Sequence, residues 1–337
     1  MTGSLWAAAL LTLALSALLP FVIRPLLRRF AVMDVPVARS SHVRPTLRGG
    51  GVAPAIAILV GTLFLATDAS GVSDRLLVVV AVASTAFAAL GLVDDVRSLS
   101  SRSRAAVQVI LAAVVCTVIV TLVDGPAWLY IAGPLAIAGY VNVANFMDGI
   151  NTISGLHGVV AGASFVVTGS LADQPWLIGL GFCLAAAFLA FLPWNVLGQR
   201  MFLGDVGSYL LGGTIAVAAV AAVAVGVPFV AVLGPLIPYL IDTSSTLVRR
   251  VARGERWFEA HNTHVYQQMA RRLGHVPTSL LVNFAALVCA AAGTLSFRGT
   301  SGTVSAVVVF VVVAVAYLAL PRLGTRITDR KERSAHV

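Results

Sequence analysis

The 337-residue chain is 58% hydrophobic and 11% charged, with a formal net charge of +9 and a mean hydropathy of +0.93. Soluble domains carry about 25% charged residues, so the composition excludes a water-facing surface of this size and implies lipid as the solvent. The positive charge is almost entirely arginine, Lys331 being the only lysine; its distribution along the chain, taken up below, points to membrane topology and not to nucleic acid.

Eleven apolar runs follow in order, at about 5–23, 51–67, 75–93, 105–123, 127–144, 156–171, 176–193, 207–226, 228–247, 278–297 and 303–320. A span needs roughly 20 apolar residues, and backbone groups in lipid must be satisfied within the segment. The runs therefore predict an all-α polytopic membrane protein with about eleven transmembrane helices, ten being the lower count. The first run has no basic segment before it and no clear small-residue cleavage site after it, so it reads as a span and not as a signal peptide. Of the 23 Lys and Arg residues, all but Arg75 and Arg298 fall in the loops after odd-numbered runs or in the C-terminal tail. Such asymmetry sets orientation: the N-terminus is expected outside and the C-terminus in the cytoplasm. Residues 1–321 read as one transmembrane catalytic domain and 322–337 as a basic cytoplasmic tail. Cys116, Cys183 and Cys289 lie inside apolar runs without metal-like spacing and read as packing residues.

The loops on the arginine-poor side are short connectors, and the polar chemistry gathers in the five internal loops of the other side. The first, Ser41 to Gly51, combines arginines, Thr46 and three glycines; it suits phosphate oxygens or, equally, anionic headgroups. The second sets Asp94 and Asp95 at the end of an apolar run, where adjacent acids are costly unless they face a polar site. Paired carboxylates suit Mg²⁺ or a general base. The third, from Asn142 through Asn145 and Asp148 to Asn151, carries no Lys or Arg and suits a metal, a sugar or a nucleobase. The fourth runs from Asn195 through Phe202 to Asp205, which glycines bracket just before an apolar helix. The fifth holds His261 and His264, three apart and so on one face of a helix. Lacking a His-Glu-x-x-His pattern, the pair favours phosphate over zinc. His157 and His275 read as structural, and Asp242 as a buried partner for a cytoplasmic arginine. Carboxylates for a hard metal, arginines for phosphates and aromatics for a ring form the inventory of phosphoryl transfer.

At these residues the chain resembles the polyprenyl-phosphate N-acetylaminosugar-1-phosphate transferases. The resemblance runs from His42 to about Tyr266. It rests on Pro45-Thr46 with Gly49-Gly50, Asp94-Asp95, Asn145-Phe146-Met147-Asp148-Gly149, Phe202-Leu203-Gly204-Asp205-Val206-Gly207-Ser208 and His261-x-x-His264, in that order. It implies Asp205 as the main Mg²⁺ ligand (Mn²⁺ as the substitute), with Asp94 and Asp95 helping to hold the metal and activating the lipid phosphate. It implies Asp148 and Asn145 at the metal or nucleotide, Asn195 and Phe202 at the uracil, and His261 and His264 at phosphates, with Thr46 and Arg48 in a basic glycine loop. Asn151 stands where the family often has a second acid, so nucleotide or sugar contacts are expected to differ there. His-Asn-Thr-His in place of a triple His argues against a muramoyl-pentapeptide substrate and towards surface polysaccharides. The expected partners are a UDP-N-acetylaminosugar, undecaprenyl or decaprenyl phosphate and membrane lipid; the family's frequent dimers make a homodimer compatible. The expected place is the bacterial inner membrane, with the active site facing the cytoplasm. The alternative is a secondary transporter, which favours internal repeats and midplane charges that this sequence does not display.

Overall fold

The computed structural model describes residues 2–30, 33–34, 46–66, 71–197, 201–255 and 262–335, with side chains up to residue 321. The elements in chain order are α1 (Thr2–Arg29), β1 (Met33–Asp34), β2 (Thr46–Leu47), α2 (Val52–Leu65), α3 (Val72–Arg97), α4 (Ser101–Leu122), α5 (Leu129–Met147), α6 (Ile153–Leu171), α7 (Pro175–Val196), α8 (Gly204–Ala224), α9 (Phe229–Leu233), α10 (Ile237–Ala252), α11 (Val265–Leu273), α12 (His275–Gly293) and α13 (Thr300–Ala335). Every one of the eleven apolar runs is helical. Among the described residues ten helical stretches are long and apolar enough to cross a bilayer. The eleventh, α2, has 14 residues and reaches only about 21 Å at 1.5 Å per residue, short of a hydrocarbon layer about 30 Å thick.

The ninth run is helical in two pieces. Gly234, Pro235 and Leu236 form a 3₁₀ turn between α9 and α10, because Pro235 and Pro238 remove backbone donors that a continuous α-helix would use. No sequence period separates such a break from a straight span.

The helices pack through small residues, as lipid-embedded helices do when backbones must approach closely. A Cβ on Gly162 of α6 would lie 2.6 Å from the Gly181 carbonyl oxygen of α7. The central element is α8. Its Gly212 faces the backbone of Val141 in α5 at 2.8 Å, and its Gly213 faces the Phe87 ring in α3 at 2.8 Å, each measured from the Cβ the glycine lacks. Within its apolar stretch 89% of the residues are buried, against 17% for α13. The bundle therefore builds around α8, whose N-terminus sets the position of the polar cluster.

β1 and β2 form a two-residue antiparallel pair, Met33 opposite Leu47 and Asp34 opposite Thr46. Leu47 also bridges to Met201 in parallel. The segment after β2 is thus stitched to the segment before α8: Phe202 N donates to the Leu47 carbonyl at 2.8 Å, Gly50 N to that of Phe202 at 2.9 Å and Gly51 N to that of Leu203 at 2.8 Å. This pairing holds at close range because residue 51 has no side chain. A Cβ there would sit 2.2 Å from the Gly207 Cα.

Candidate active site

The first four polar loops converge where α2, α6 and α8 begin and α3, α5 and α7 end. Most of the site residues ride on the terminal turns of these helices and not in free loops. Asp94 and Asp95 belong to the last turn of α3, Asn145 to that of α5 and Asn195 to that of α7, while Asp205 opens α8.

Arg48 lies between two carboxylates. Its Nε is 2.5 Å from Asp95 Oδ1 and its Nη2 is 2.5 Å from Asp205 Oδ2. Asp205 Oδ1 accepts from Asn145 Nδ2 at 2.8 Å, and the same amide reaches Ser208 Oγ at 3.0 Å. Asp95, its side chain fully buried, also accepts from the backbone N–H of Asp205 at 2.9 Å and of Val206 at 3.0 Å. It therefore caps α8 from another helix, satisfying two of the donors that a helix start leaves unpaired and placing negative charge at the positive end of the dipole. Gly204, at φ +76°, makes the turn into α8; a Cβ there would meet Asp95 Oδ2 at 2.6 Å and Gly49 N at 2.7 Å.

Asp94 is engaged differently. Its Oδ1 accepts from Leu99 N at 2.8 Å, and its Oδ2 from Arg104 Nη1 at 2.9 Å and the Tyr209 hydroxyl at 3.0 Å. It closes the α3–α4 turn and ties it to α8.

Asp148 follows α5 and is half-buried. Burial, with the Asp205 charge adding and Arg48 opposing, pushes its carboxyl up from the ordinary 3.8 to about 7. Thr46 and Phe202 flank the stitched segment, Thr46 on β2 and half-buried Phe202 immediately before Leu203. Asn195 spans two loops, its Oδ1 accepting from Thr152 N at 2.6 Å and its Nδ2 donating to the Met201 carbonyl at 3.2 Å. The Asn151 carbonyl accepts from Ser279 Oγ at 2.9 Å, which docks this loop on α12.

The fifth loop joins through Tyr266, whose hydroxyl donates to the Phe146 carbonyl at 2.9 Å. His264 is the N-cap of α11, and its backbone conformation of φ −59°, ψ 150° lies outside the helix. The expectation of a histidine pair on one helical face is therefore corrected, since the helix begins only at Val265; His261 lies outside the described residues. Asp242 also departs from expectation. Its carboxylate meets His264 Nδ1 at 3.0 Å, the Tyr317 hydroxyl at 2.7 Å and two backbone N–H groups of α11, in place of an arginine. His157 is structural as read, lying 2.7 Å from the Tyr140 hydroxyl and stacked on Tyr239.

Sequence reasoning passed over Arg104, Tyr209 and Tyr317, and gave no role to Ser208 or Tyr266, which it met only at the ends of motifs. Arg104 had registered only as a topological charge. Tyr209 and Tyr317 are common residue types in apolar surroundings, with no spacing signal.

The chemistry of the donor set fits a divalent cation. Mg²⁺ is usually held by one or two carboxylates plus substrate phosphates, and Asp95 and Asp205 already converge on one shared cationic group. Among the described residues no three Asp, Glu, His or Cys side chains come together as a metal cage, so the phosphates would complete the coordination.

Fold and site together define an all-helical, multi-pass membrane protein with a buried acid–arginine–amide cluster at one end of its bundle. The model of glycosyl transferase family 4 matches residues 77–223, from α3 to the end of α8, a likeness in keeping with the resemblance carried by the motifs. It is similar to a decaprenyl-phosphate N-acetylglucosaminephosphotransferase of Mycolicibacterium smegmatis, at 26% identity over 89% of this chain and 84% of the relative. A probable undecaprenyl-phosphate N-acetylglucosaminyl 1-phosphate transferase of Bacillus subtilis matches at 25%, covering 79% of each chain. A phospho-N-acetylmuramoyl-pentapeptide-transferase of Picosynechococcus sp. matches at 28%, over 64% of this chain and 65% of the relative.

Proposed function

We propose that this protein transfers an N-acetylaminosugar-1-phosphate from a UDP-sugar to a polyprenyl phosphate, releasing UMP and starting a cell-surface polysaccharide. The observation that carries the reading is the meeting of Asp95, Asp205, Asn145 and Arg48 at the head of α8. The names of the relatives, which act on decaprenyl or undecaprenyl phosphate and N-acetylglucosamine phosphate, support it.

In this reading the polyprenyl tail lies among the helices and its phosphate reaches the acid cluster. An oxygen of that phosphate attacks the β-phosphorus of the UDP-sugar; the new O–P bond forms as the bond to the UMP oxygen breaks. A phosphate monoester has a second pKa of about 6, so the attacking group is already largely deprotonated at neutral pH and no strong base is required. Asp205, with Asp95, would hold Mg²⁺, which supplies neutralisation of the pyrophosphate charge when bound. Arg48, held between Asp95 and Asp205, would bring a guanidinium to the same phosphates. Asn145 fixes the Asp205 carboxylate. Asn195 joins the Thr152 and Met201 loops, beside which Phe202 would offer a ring for the uracil. The arginine-rich side is assigned to the cytoplasm of the inner membrane by the positive-inside rule.

The test is UMP release by the purified full-length protein with Mg²⁺, undecaprenyl or decaprenyl phosphate and a panel of UDP-N-acetylaminosugars. Release should require lipid and metal, and Asp205→Asn should lower it at least 100-fold, on the order of 3 kcal/mol of transition-state stabilisation. Substrate flux without UMP release would favour a transporter instead.

A further inference from the structure

Arg48 sits where a cation belongs. Its Nε is 2.5 Å from Asp95 Oδ1 and its Nη2 is 2.5 Å from Asp205 Oδ2, so one guanidinium bridges the two acids. The remaining contacts of the pair point elsewhere: Asp205 Oδ1 takes the Asn145 amide, and Asp95 takes the N–H groups of Asp205 and Val206. Asp94 is committed to Leu99, Arg104 and Tyr209. The gap between Asp95 and Asp205 is where two carboxylates converge, and Arg48 fills it.

Two ionised carboxylates that share a guanidinium would repel without it. Both are withdrawn from water, their side chains 0% and 12% exposed, whereas that of Arg48 is 31% exposed. The backbone on either side of Arg48 is pinned, because the Leu47 carbonyl accepts from Phe202 N at 2.8 Å and Gly50 N donates to the Phe202 carbonyl at 2.9 Å. Any departure of the guanidinium is therefore a swing of the side chain and not of the segment. A divalent cation would compete for the same oxygens. Mg²⁺ lies about 2.0–2.1 Å from its ligands, closer than the guanidinium nitrogens, and two cations against one face of the same acids repel. Entry of the metal is favourable when something anionic receives the arginine. A pyrophosphate serves both ends of that exchange, offering oxygens to the metal and a paired acceptor to the guanidinium.

We propose that Arg48 is the resident counter-ion of the acid pair, holding the metal position until a nucleotide-sugar enters with its metal and the guanidinium crosses to the pyrophosphate. The proposal rests on the phosphosugar-transfer reading for the metal and the pyrophosphate. It gives Arg48 two duties of opposite sign, a brake on metal binding and a phosphate contact in turnover. An arginine that merely braced the two acids would have one sign: its loss would loosen the pair and weaken metal binding and turnover together.

The experiment uses full-length protein in detergent, with Mn²⁺ as the probe and bound metal followed by electron paramagnetic resonance. Wild type is compared with Arg48→Gln, Arg48→Lys and Asp205→Asn, the last identifying the signal that belongs to the site. Without substrate, Arg48→Gln should bind Mn²⁺ about 10-fold or more tightly than wild type. Arg48→Lys should fall between them, since a compact ammonium does not span both acids as a planar fork does. Adding UDP-N-acetylglucosamine should tighten Mn²⁺ binding more in wild type than in Arg48→Gln. UMP release should move the other way, Arg48→Gln losing about 10-fold or more. If Arg48→Gln does not fold, Arg48→Lys carries the comparison. Mn²⁺ binding by the arginine variants that is no tighter than that of wild type overturns the proposal. Absence of Mn²⁺ binding from every sample overturns the metal site and the proposal with it, while UMP release in those samples decides the transfer reading separately.

Discussion

Asp95→Asn separates the two duties the acid cluster combines. The Asp95 carboxylate accepts from the N–H groups of Asp205 and Val206 on different oxygens, at 2.9 and 3.0 Å, and from Arg48 at 2.5 Å. An asparagine keeps one acceptor oxygen, so one α8 N–H loses its partner inside the bundle, at a cost of about 1–3 kcal/mol. Loss of the charged cap adds about 0.5–1 kcal/mol. Together they predict about 1.5–4 kcal/mol of destabilisation, read as a fall of several degrees in the melting temperature of the detergent-purified protein. Asp205→Asn should differ. Its carboxylate caps no helix, and its removal leaves Arg48 with Asp95, so the melting point should move by less than half as much while UMP release collapses. An Asp95→Asn protein that melts within 1 °C of wild type would refute the assignment of Asp95 as the trans cap of α8.

Three further outcomes follow from the same geometry. Gly51→Ala should fail to yield monodisperse protein, or should lose several kcal/mol of stability, because its Cβ would press into the Gly207 backbone at 2.2 Å; Gly139→Ala, with nothing within 4 Å of the new Cβ, should be neutral or slightly stabilising on the same chromatographic and thermal assays. Arg104→Ala should destabilise by about 1–3 kcal/mol, because Asp94 stays buried with only Leu99 N and the Tyr209 hydroxyl as partners; an unchanged thermal profile would count against that pairing. Asp148 is raised from 3.8 to about 7 in the folded protein, so the native state binds more protons than the unfolded state between those values and stability falls as pH rises through that window. In chelator-treated samples wild type should melt lower at pH 8 than at pH 5, and Asp148→Asn should flatten the slope; equal slopes would sink the reading.

The fold was largely legible because lipid imposes a simple rule on sequence. All eleven apolar runs became helices, and the alternation of arginines kept their count honest. What escaped were the features that depend on backbone detail: the shortness of α2, and the break that Pro235 and Pro238 put between α9 and α10. At the site, residue types at helix ends picked out Asp94, Asp95, Asn145 and Asp205, since an acid or amide at a membrane edge needs a reason to be there. Their division of labour was not legible. Arg48 and Asp205 are 157 positions apart, Asp95 and Val206 111, and spacing along the chain says nothing about which acid caps a helix. Asp242 was misread for the same reason. Its proximity in sequence to Arg249 suggested an ion pair, whereas the fold delivers the start of α11 to it instead.

The central place of α8 has a consequence for how the protein is made. A helix almost without lipid-facing surface enters the bilayer on apolarity, yet finds its place only by sliding its glycines against partners synthesised before it. Until residue 204 emerges, Asp95 has no helix to cap and Arg48 lacks its second acid. The full acid–arginine–amide cluster is therefore absent from any nascent chain that stops short of α8, because Asp205 is one of its members. A chain that stops short of α8 can pair Arg48 with Asp95 and Arg104 with Asp94, but it lacks the Asp205 contacts to Arg48 and Asn145 that complete the cluster.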